Sequence, residues 1–296
     1  MNSVAPAPNP ASMAASAVVY ICLGATLGIG APSGSSAAET DTAHGSFRSQ
    51  AVQLEVRSAI AFRGKPFLGG SEEALIVAVT NAKVHADALA DYYDRRRAVD
   101  KRIKDDETGV VYFEFRPDGR YKGLSYYFAS GNGCGYCSGD VVSTVRLAGG
   151  RLSGSLKGNE AERSFDVALD VPILSDNHGG PLPADGGAPG AAYRAYHSAL
   201  GKRDRLALKA SLSLDRLETW ADAEKKGNLG RFVQYLGSEH PNQSVTIVRG
   251  FVKGNTAVLL VTGESSTIGK LEGEVLLMKE SDVWHVDDEL MELVLR

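Results

Sequence analysis

Three stretches of this chain hold side chains suited to chemistry. The first is Cys134-Gly135-Tyr136-Cys137, flanked by Gly131-Asn132-Gly133 and by Ser138-Gly139. Two cysteines at this spacing make a redox couple when a helix N-terminus lowers the pKa of the first thiol. They make half of a zinc site when two further ligands exist. Here the following residues, 140–147, are β-branched and read as a strand, and the chain has no second Cys-x-x-Cys and no paired-His motif. A local disulfide between Cys134 and Cys137 that fixes the shape of a loop is the favoured reading, with redox and metal roles as the alternatives. No residue is assigned as a metal ligand.

The second stretch is aromatic. Tyr112, Phe113, Phe115, Tyr121, Tyr126, Tyr127, Phe128 and Tyr136 fall within 25 residues. Such a cluster serves as a stacking platform for a sugar ring or a partner's side chain. The plainer reading is that alternate rings face a core, because strands favour aromatics. The third stretch lies near the C-terminus, where His285, Asp287 and Glu289 share one face of an alternating segment. A histidine beside a carboxylate supports general acid–base chemistry when burial raises the carboxyl pKa. Trp284, Val286 and Leu290 make the more apolar face, so these are expected to point inward and the three polar groups outward. Asp287 and His285 stand as the candidate catalytic pair of an alternative, enzymatic reading.

Other signatures are absent. There is no Gly-x-Ser-x-Gly, no His-Glu-x-x-His and no phosphate-cradling Gly-rich loop with Lys. Arg95-Arg96-Arg97 with Lys101, Arg102 and Lys104 alternates with Asp91, Asp94 and Asp100, as expected for a solvated face. The formal charge of −4 argues against a nucleic-acid partner. Three cysteines are too few for a disulfide scaffold, and no cofactor is implied.

The elements that must hold these groups begin after a leader. No charged side chain precedes Glu39, residues 14–31 form an apolar run, and Ser36-Ala37-Ala38 suits cleavage after Ala38. A signal peptide over 1–38 and a periplasmic or secreted protein follow from this; a membrane anchor at 14–31 is the alternative. Residues 39–49 are expected to be a flexible segment. From Val52 the pattern alternates, with Val52, Leu54, Val56, Ile60 and Phe62 on one side. Residues 74–80 read as a strand buried on both faces, and Pro117-Asp118-Gly119-Arg120 as a tight turn between strands 110–116 and 121–128. Strands at 141–147, 151–156 and 164–171 complete an antiparallel sandwich over 50–172. Residues 83–104 interrupt it as a helical excursion, with Leu89, Tyr92, Val99 and Ile103 in one stripe and i,i+4 pairs Asp91–Arg95 and Asp100–Lys104.

Between Pro172 and Gly190, 9 of 19 residues are Pro or Gly, which reads as a linker over 173–187. Beyond it come helices and then strands. The opening helix AYRAYHSALGKRDR and the closing hairpin GEVLLMKESDVWHVDDELMEL resemble the NTF2-like (cystatin-like) superfamily, over residues 188–296. The resemblance implies a cone in which a curved antiparallel sheet wraps helices around a pocket. Tyr196, Trp220 and Trp284 then become candidate pocket walls, and His197 a surface or interface histidine. The expected fold is therefore two-domain: an N-terminal all-β antiparallel sandwich with a helical excursion, then a C-terminal α+β NTF2-like cone. The expected function is non-catalytic binding of a small molecule or protein in that cone. The alternatives are an isomerase-, hydratase- or hydrolase-type enzyme and a thiol–disulfide protein. The resemblance also raises a homodimer through the C-terminal domain, and membrane contact is expected only through an uncleaved N-terminus.

Overall fold

Alternating β-branched and aromatic runs dominate the chain, and they fold into three antiparallel sheets. The computed structural model describes residues 42–49, 52–68, 72–103, 107–131, 133–137, 139–238 and 240–294, all within one compact unit. The expected leader lies outside the described residues. Among these residues no helix is long and apolar enough to cross a membrane.

The first part comprises β1 (Thr42–Ser49), β2 (Val52–Glu55), β3 (Ser58–Gly64), β4 (Ala74–Thr80), α1 (Arg95–Asp100), β5 (Gly109–Phe115) and β6 (Tyr121–Phe128). It continues with β7 (Gly133–Cys137), β8 (Val141–Ser143), β9 (Arg146–Ala148), β10 (Arg151–Asn159) and β11 (Arg163–Pro172). One sheet has the order β2-β1-β11-β10-β8, with β9 also on β10; the second runs β3-β4-β5-β6-β7. The two share a core built from Phe47, Leu54, Val77, Phe113, Leu124, Leu156, Phe165 and Val167. Each such side chain, fully buried, stabilises the fold by roughly 1.5–3 kcal/mol.

Several expectations need correction here. Residues 42–49 are not a flexible segment: they form β1, paired along its length with β11, because Phe47 is fully buried and stacks on Phe165 at 6.1 Å. The run from Val52 to Phe62 is two strands, not one. The chain changes sheet at Val56-Arg57, so Leu54 faces the shared core while Ile60 and Phe62 face a second core on the far side. The long helix over 83–104 is a single 3-10 turn at Asp87–Leu89 followed by the six-residue α1. Its stripe is still buried: Leu89, Tyr92, Val99 and Ile103 all join that second core.

The second part opens with β12 (Gly180–Pro181), then α2 (Gly187–Lys202), α3 (Arg205–Ala210), α4 (Leu214–Lys225) and α5 (Leu229–Ser238). β13 (Ser244–Lys253), β14 (Thr256–Ser265), β15 (Gly269–Glu280) and β16 (Val283–Leu293) follow, and the sheet order is β12 through β16. Asp204 and Ser213 cap α3 and α4 by accepting from backbone N–H groups of their first turns. Ser281 and Asp282 both take positive φ, as the tight β15–β16 hairpin requires. The inner face of this sheet packs on the helices through Tyr193, Tyr196, Leu208, Trp220, Leu259, Val275 and Val286.

The outer face of the same sheet meets residues 84–103, so that segment is a wedge between two sheets. Leu276 and Leu290 share the second core with Ile76, Val99 and Tyr112. Polar pairs run through this seam. Tyr92 Oη donates to Asp288 Oδ2 at 2.7 Å, and the Tyr93 and Asp94 amides donate to Glu274 Oε2 at 2.8 and 2.9 Å. Lys101 pairs with Asp288 and Arg97 with Glu292. The basic cluster is therefore not simply a solvated face, because acidic residues of β15 and β16 draw it into the seam. Arg95, only 2% exposed, pairs with Asp176 at 2.6 Å rather than with Asp91. Asp176 belongs to the expected linker, which is bound at both ends. Leu174 N donates to Ala61 O at 2.8 Å and Leu182 N to Gly250 O at 2.9 Å.

Candidate functional site

Two places gather polar side chains. The first lies inside the second part and depends on an irregularity in β16. Opposite Leu276 and Leu277 stand Asp288 and Val286, so Asp287 is an extra residue, a β-bulge. A bulge inverts the alternation beyond it. Trp284 and Val286 pack on the helix side before the bulge; after it Glu289 and Met291 take that side, and Leu290 joins the opposite core. The expectation that Glu289 faces solvent and Leu290 lies beside Val286 is thus corrected by one inserted residue.

Inside, Glu289 accepts from Tyr193 Oη at 2.7 Å and from His240 Nδ1 at 2.8 Å, with Tyr196 Oη at 3.5 Å. His240, 1% exposed, presents Nε2 to His197 Nδ1 at 2.6 Å. Burial pushes the Glu289 carboxyl up, but His240, Tyr193 and Arg216 outweigh it and hold the group below its usual range. Tyr193 and Tyr196 are pushed up by burial and by Glu289. Burial and His240 lower His197. The adjoining void, lined by Lys101, Arg216, Tyr235, Leu236, Glu289 and Met291, measures about 30 Å³, room for a water or two.

The sequence-derived candidates separate around this cluster. Tyr196 belongs to it. Trp220 is a core residue packed edge-on against Phe232 at 6.1 Å, and Trp284 lines the same core. Asp287 accepts from Ser213 Oγ at 2.6 Å and so braces the cap of α4; burial raises its pKa. His285 is not hydrogen-bonded to Asp287, and its Nδ1 is buried without a partner among the described residues. His240, Arg216 and Tyr193 carried no joint signal in the sequence because they come from three separate segments: the bend after α5, α4 and α2.

The second place is a groove of about 310 Å³ on the outer face of β5 and β6, lined by Arg96, Asp100, Tyr112, Ser125, Tyr126, Tyr127 and the Gly133-Cys134-Gly135 backbone. It is built from below by Glu114, fully buried, which accepts from Phe67 N at 2.9 Å and pairs with Lys122 at 2.5 Å. That fixes the Phe67 ring, on which Tyr112 packs edge-on at 6.3 Å. The Arg96 guanidinium lies over both rings, 4.8 Å from Phe67 and 5.4 Å from Tyr112. Tyr112 Oη donates to Asp100 Oδ1 at 2.5 Å.

The rim is the cysteine loop. Between Leu124 and Tyr126 the pairing jumps from Cys137 to Cys134, so Gly135 and Tyr136 bulge out opposite Ser125. The two cysteine sulfurs lie at bonding distance, with Cα atoms 6.3 Å apart. Tyr136 folds back over Gly123, where a Cβ would stand 2.5 Å from its ring. Ser125, 2% exposed, has a buried hydroxyl with no hydrogen-bond partner among the described residues. Tyr126 is anchored to Ser49 at 2.8 Å, and Tyr127 stands 42% exposed. The aromatic run marked this region in the sequence. Arg96 and Asp100 stood out only as parts of a charged run expected to be solvated, and Ser125 carried no local signal. Comparison with protein-family models and with curated protein sequences finds no match for this chain.

Proposed function

We propose that this is an exported, non-catalytic binding protein whose small ligand occupies the groove between α1, β6 and the cysteine loop. One observation carries the reading: a cavity of about 310 Å³ with tyrosine walls holds a guanidinium, a carboxylate oxygen and a buried hydroxyl that no described residue satisfies. Ligand pockets are typically of this volume, mostly apolar, with a few convergent polar groups. The cone interior, favoured from sequence, is filled by its own side chains. In support of export stand the apolar run and the small residues before Ala38. The element order, helices α2–α5 and then a meander of four long strands, supports reading residues 188–294 as an NTF2-like module. Its outer sheet face is covered by residues 84–103, which disfavours a homodimer through that face. Cys134 and Cys137 lie in a strand and not at a helix N-terminus, so their bond is read as a brace of the groove rim.

The test is a fragment screen by ligand-observed NMR on the mature protein, repeated with Tyr127→Ala. Binding that weakens in the variant is expected; fragments that bind unaffected by it would overturn the groove. One observation favours an enzyme instead: the Glu289–His240–His197 chain runs from a carboxylate beside a void to a half-buried imidazole. Turnover lost in His197→Ala with the fold intact would replace the binding reading.

A further inference from the structure

Resting on the groove assigned above, we propose that its ligand is a free α-amino acid with an aromatic or bulky apolar side chain. Arg96 and Asp100 stand one turn apart on the same face of α1 and both line the groove. They do not pair, because Arg96 lies flat on Phe67 and Tyr112. Its N–H donors therefore meet no acceptor among the described residues, and its planar fork matches a carboxylate. Among the described residues Asp100 accepts from Tyr112 through Oδ1 only, which leaves Oδ2 to accept from an ammonium donor.

A cation and an anion side by side favour a ligand of zero net charge that carries both signs on neighbouring atoms. An α-amino acid does so. A sugar carries neither charge, an aryl acid only one, and the interior of a peptide neither. Between the charges and the rim lie the exposed Tyr127, which offers a ring face to a side chain, and the Ser125 hydroxyl, buried and unsatisfied among the described residues. A volume of about 310 Å³ holds one such residue and excludes a long peptide.

The test compares L-phenylalanine, 3-phenylpropionate, phenethylamine and glucose by titration calorimetry, with the Tyr127 ring followed by NMR. L-phenylalanine is expected to bind about tenfold or more tightly than either singly charged analogue, the usual worth of a charge-assisted hydrogen bond. Arg96→Met should erase its advantage over phenethylamine, and the near-isosteric Asp100→Asn its advantage over 3-phenylpropionate. Melting curves of both variants report the fold, and Asp100→Asn keeps an acceptor for Tyr112 if Arg96→Met misfolds. Equal binding of the three aryl compounds, or preferred binding of glucose with the Tyr127 signal perturbed, would overturn the amino-acid assignment and leave the groove standing. If no compound shifts Tyr127, both assignments fall.

Discussion

The Glu289 cluster beneath α2, α4 and α5 and the Arg96–Asp100 groove over β5 and β6 use the same residue types: an arginine, a carboxylate and tyrosines. They differ in what is left unsatisfied. Around Glu289, His240, Tyr193 and Tyr196 converge on one carboxylate that lacks room for a ligand, and among the described residues Arg216 Nη1 is left buried without a partner. In the groove the arginine rests on rings, the aspartate has a single donor and a serine hydroxyl has none. A closed network rigidifies a core, whereas an open one has a use for a guest. Residue type alone therefore does not identify a site; spare hydrogen-bonding capacity beside room for a guest, about 310 Å³ against about 30 Å³, does.

That contrast can be broken by mutation. The largest effect is expected from Glu289→Ala, which strands His240 and the two tyrosine hydroxyls in a dry interior. It should cost about 3–5 kcal/mol in urea unfolding, as removal of one partner of a buried pair does. Arg96→Met should cost about 1–2 kcal/mol, the worth of a half-buried cation–π contact. Equal losses at the two positions would erase the distinction between a closed and an open cluster.

Glu274 is intermediate: two amides donate to Oε2, while Oε1 is buried without a partner. Burial, against those hydrogen bonds, pushes its carboxyl from 4.5 up to about 7. Between those values the unfolded chain has lost this proton and the folded protein keeps it. Stability should therefore fall as pH rises from 4.5 to 7, by on the order of 1–3 kcal/mol, and then level. Glu274→Gln should flatten that slope, and melting temperatures of the two proteins across this range are the check. Glu289 acts with the opposite sign. Its depressed folded pKa gives stability that is present above the usual carboxylate range and lost as acid titrates it.

A smaller effect is expected at Ser213, which donates to Asp287 and accepts from Arg216 N at the start of α4. Ser213→Ala should cost about 1 kcal/mol, read as a lower urea midpoint. The smallest belongs to Ser125→Ala. Because the hydroxyl has no partner, its removal should leave the melting midpoint unchanged or raise it, a shift within about 0.5 kcal/mol. A large loss there would mean that the groove is already closed.

The sequence carried the β-rich character and the buried strand Ala74–Thr80, all seven of whose residues are buried. It misled in two places for one reason: a period of two holds only while the strand is continuous. The corner at Val56-Arg57 and the bulge at Asp287 each invert the faces, which sends Ile60 and Leu290 into a core that local alternation assigns elsewhere. The long helix failed differently. Its central amides, at Tyr93 and Asp94, are taken by Glu274 from a strand 180 residues away, and no window along the chain contains that partner. The groove is legible only in part for the same reason, since Arg96 and Ser125 meet through the wedge and not through spacing.

The wedge also bears on how such a protein is inherited. Arg97 with Glu292, Lys101 with Asp288 and Tyr92 with Asp288 are matched pairs whose members lie far apart in sequence, 187 residues for Lys101–Asp288 and 196 for Tyr92–Asp288. A recombination event that replaced one half would set these charges against strangers and expose Leu276 and Leu290 to water. Exchange of either piece alone is therefore penalised, so the two halves should descend together.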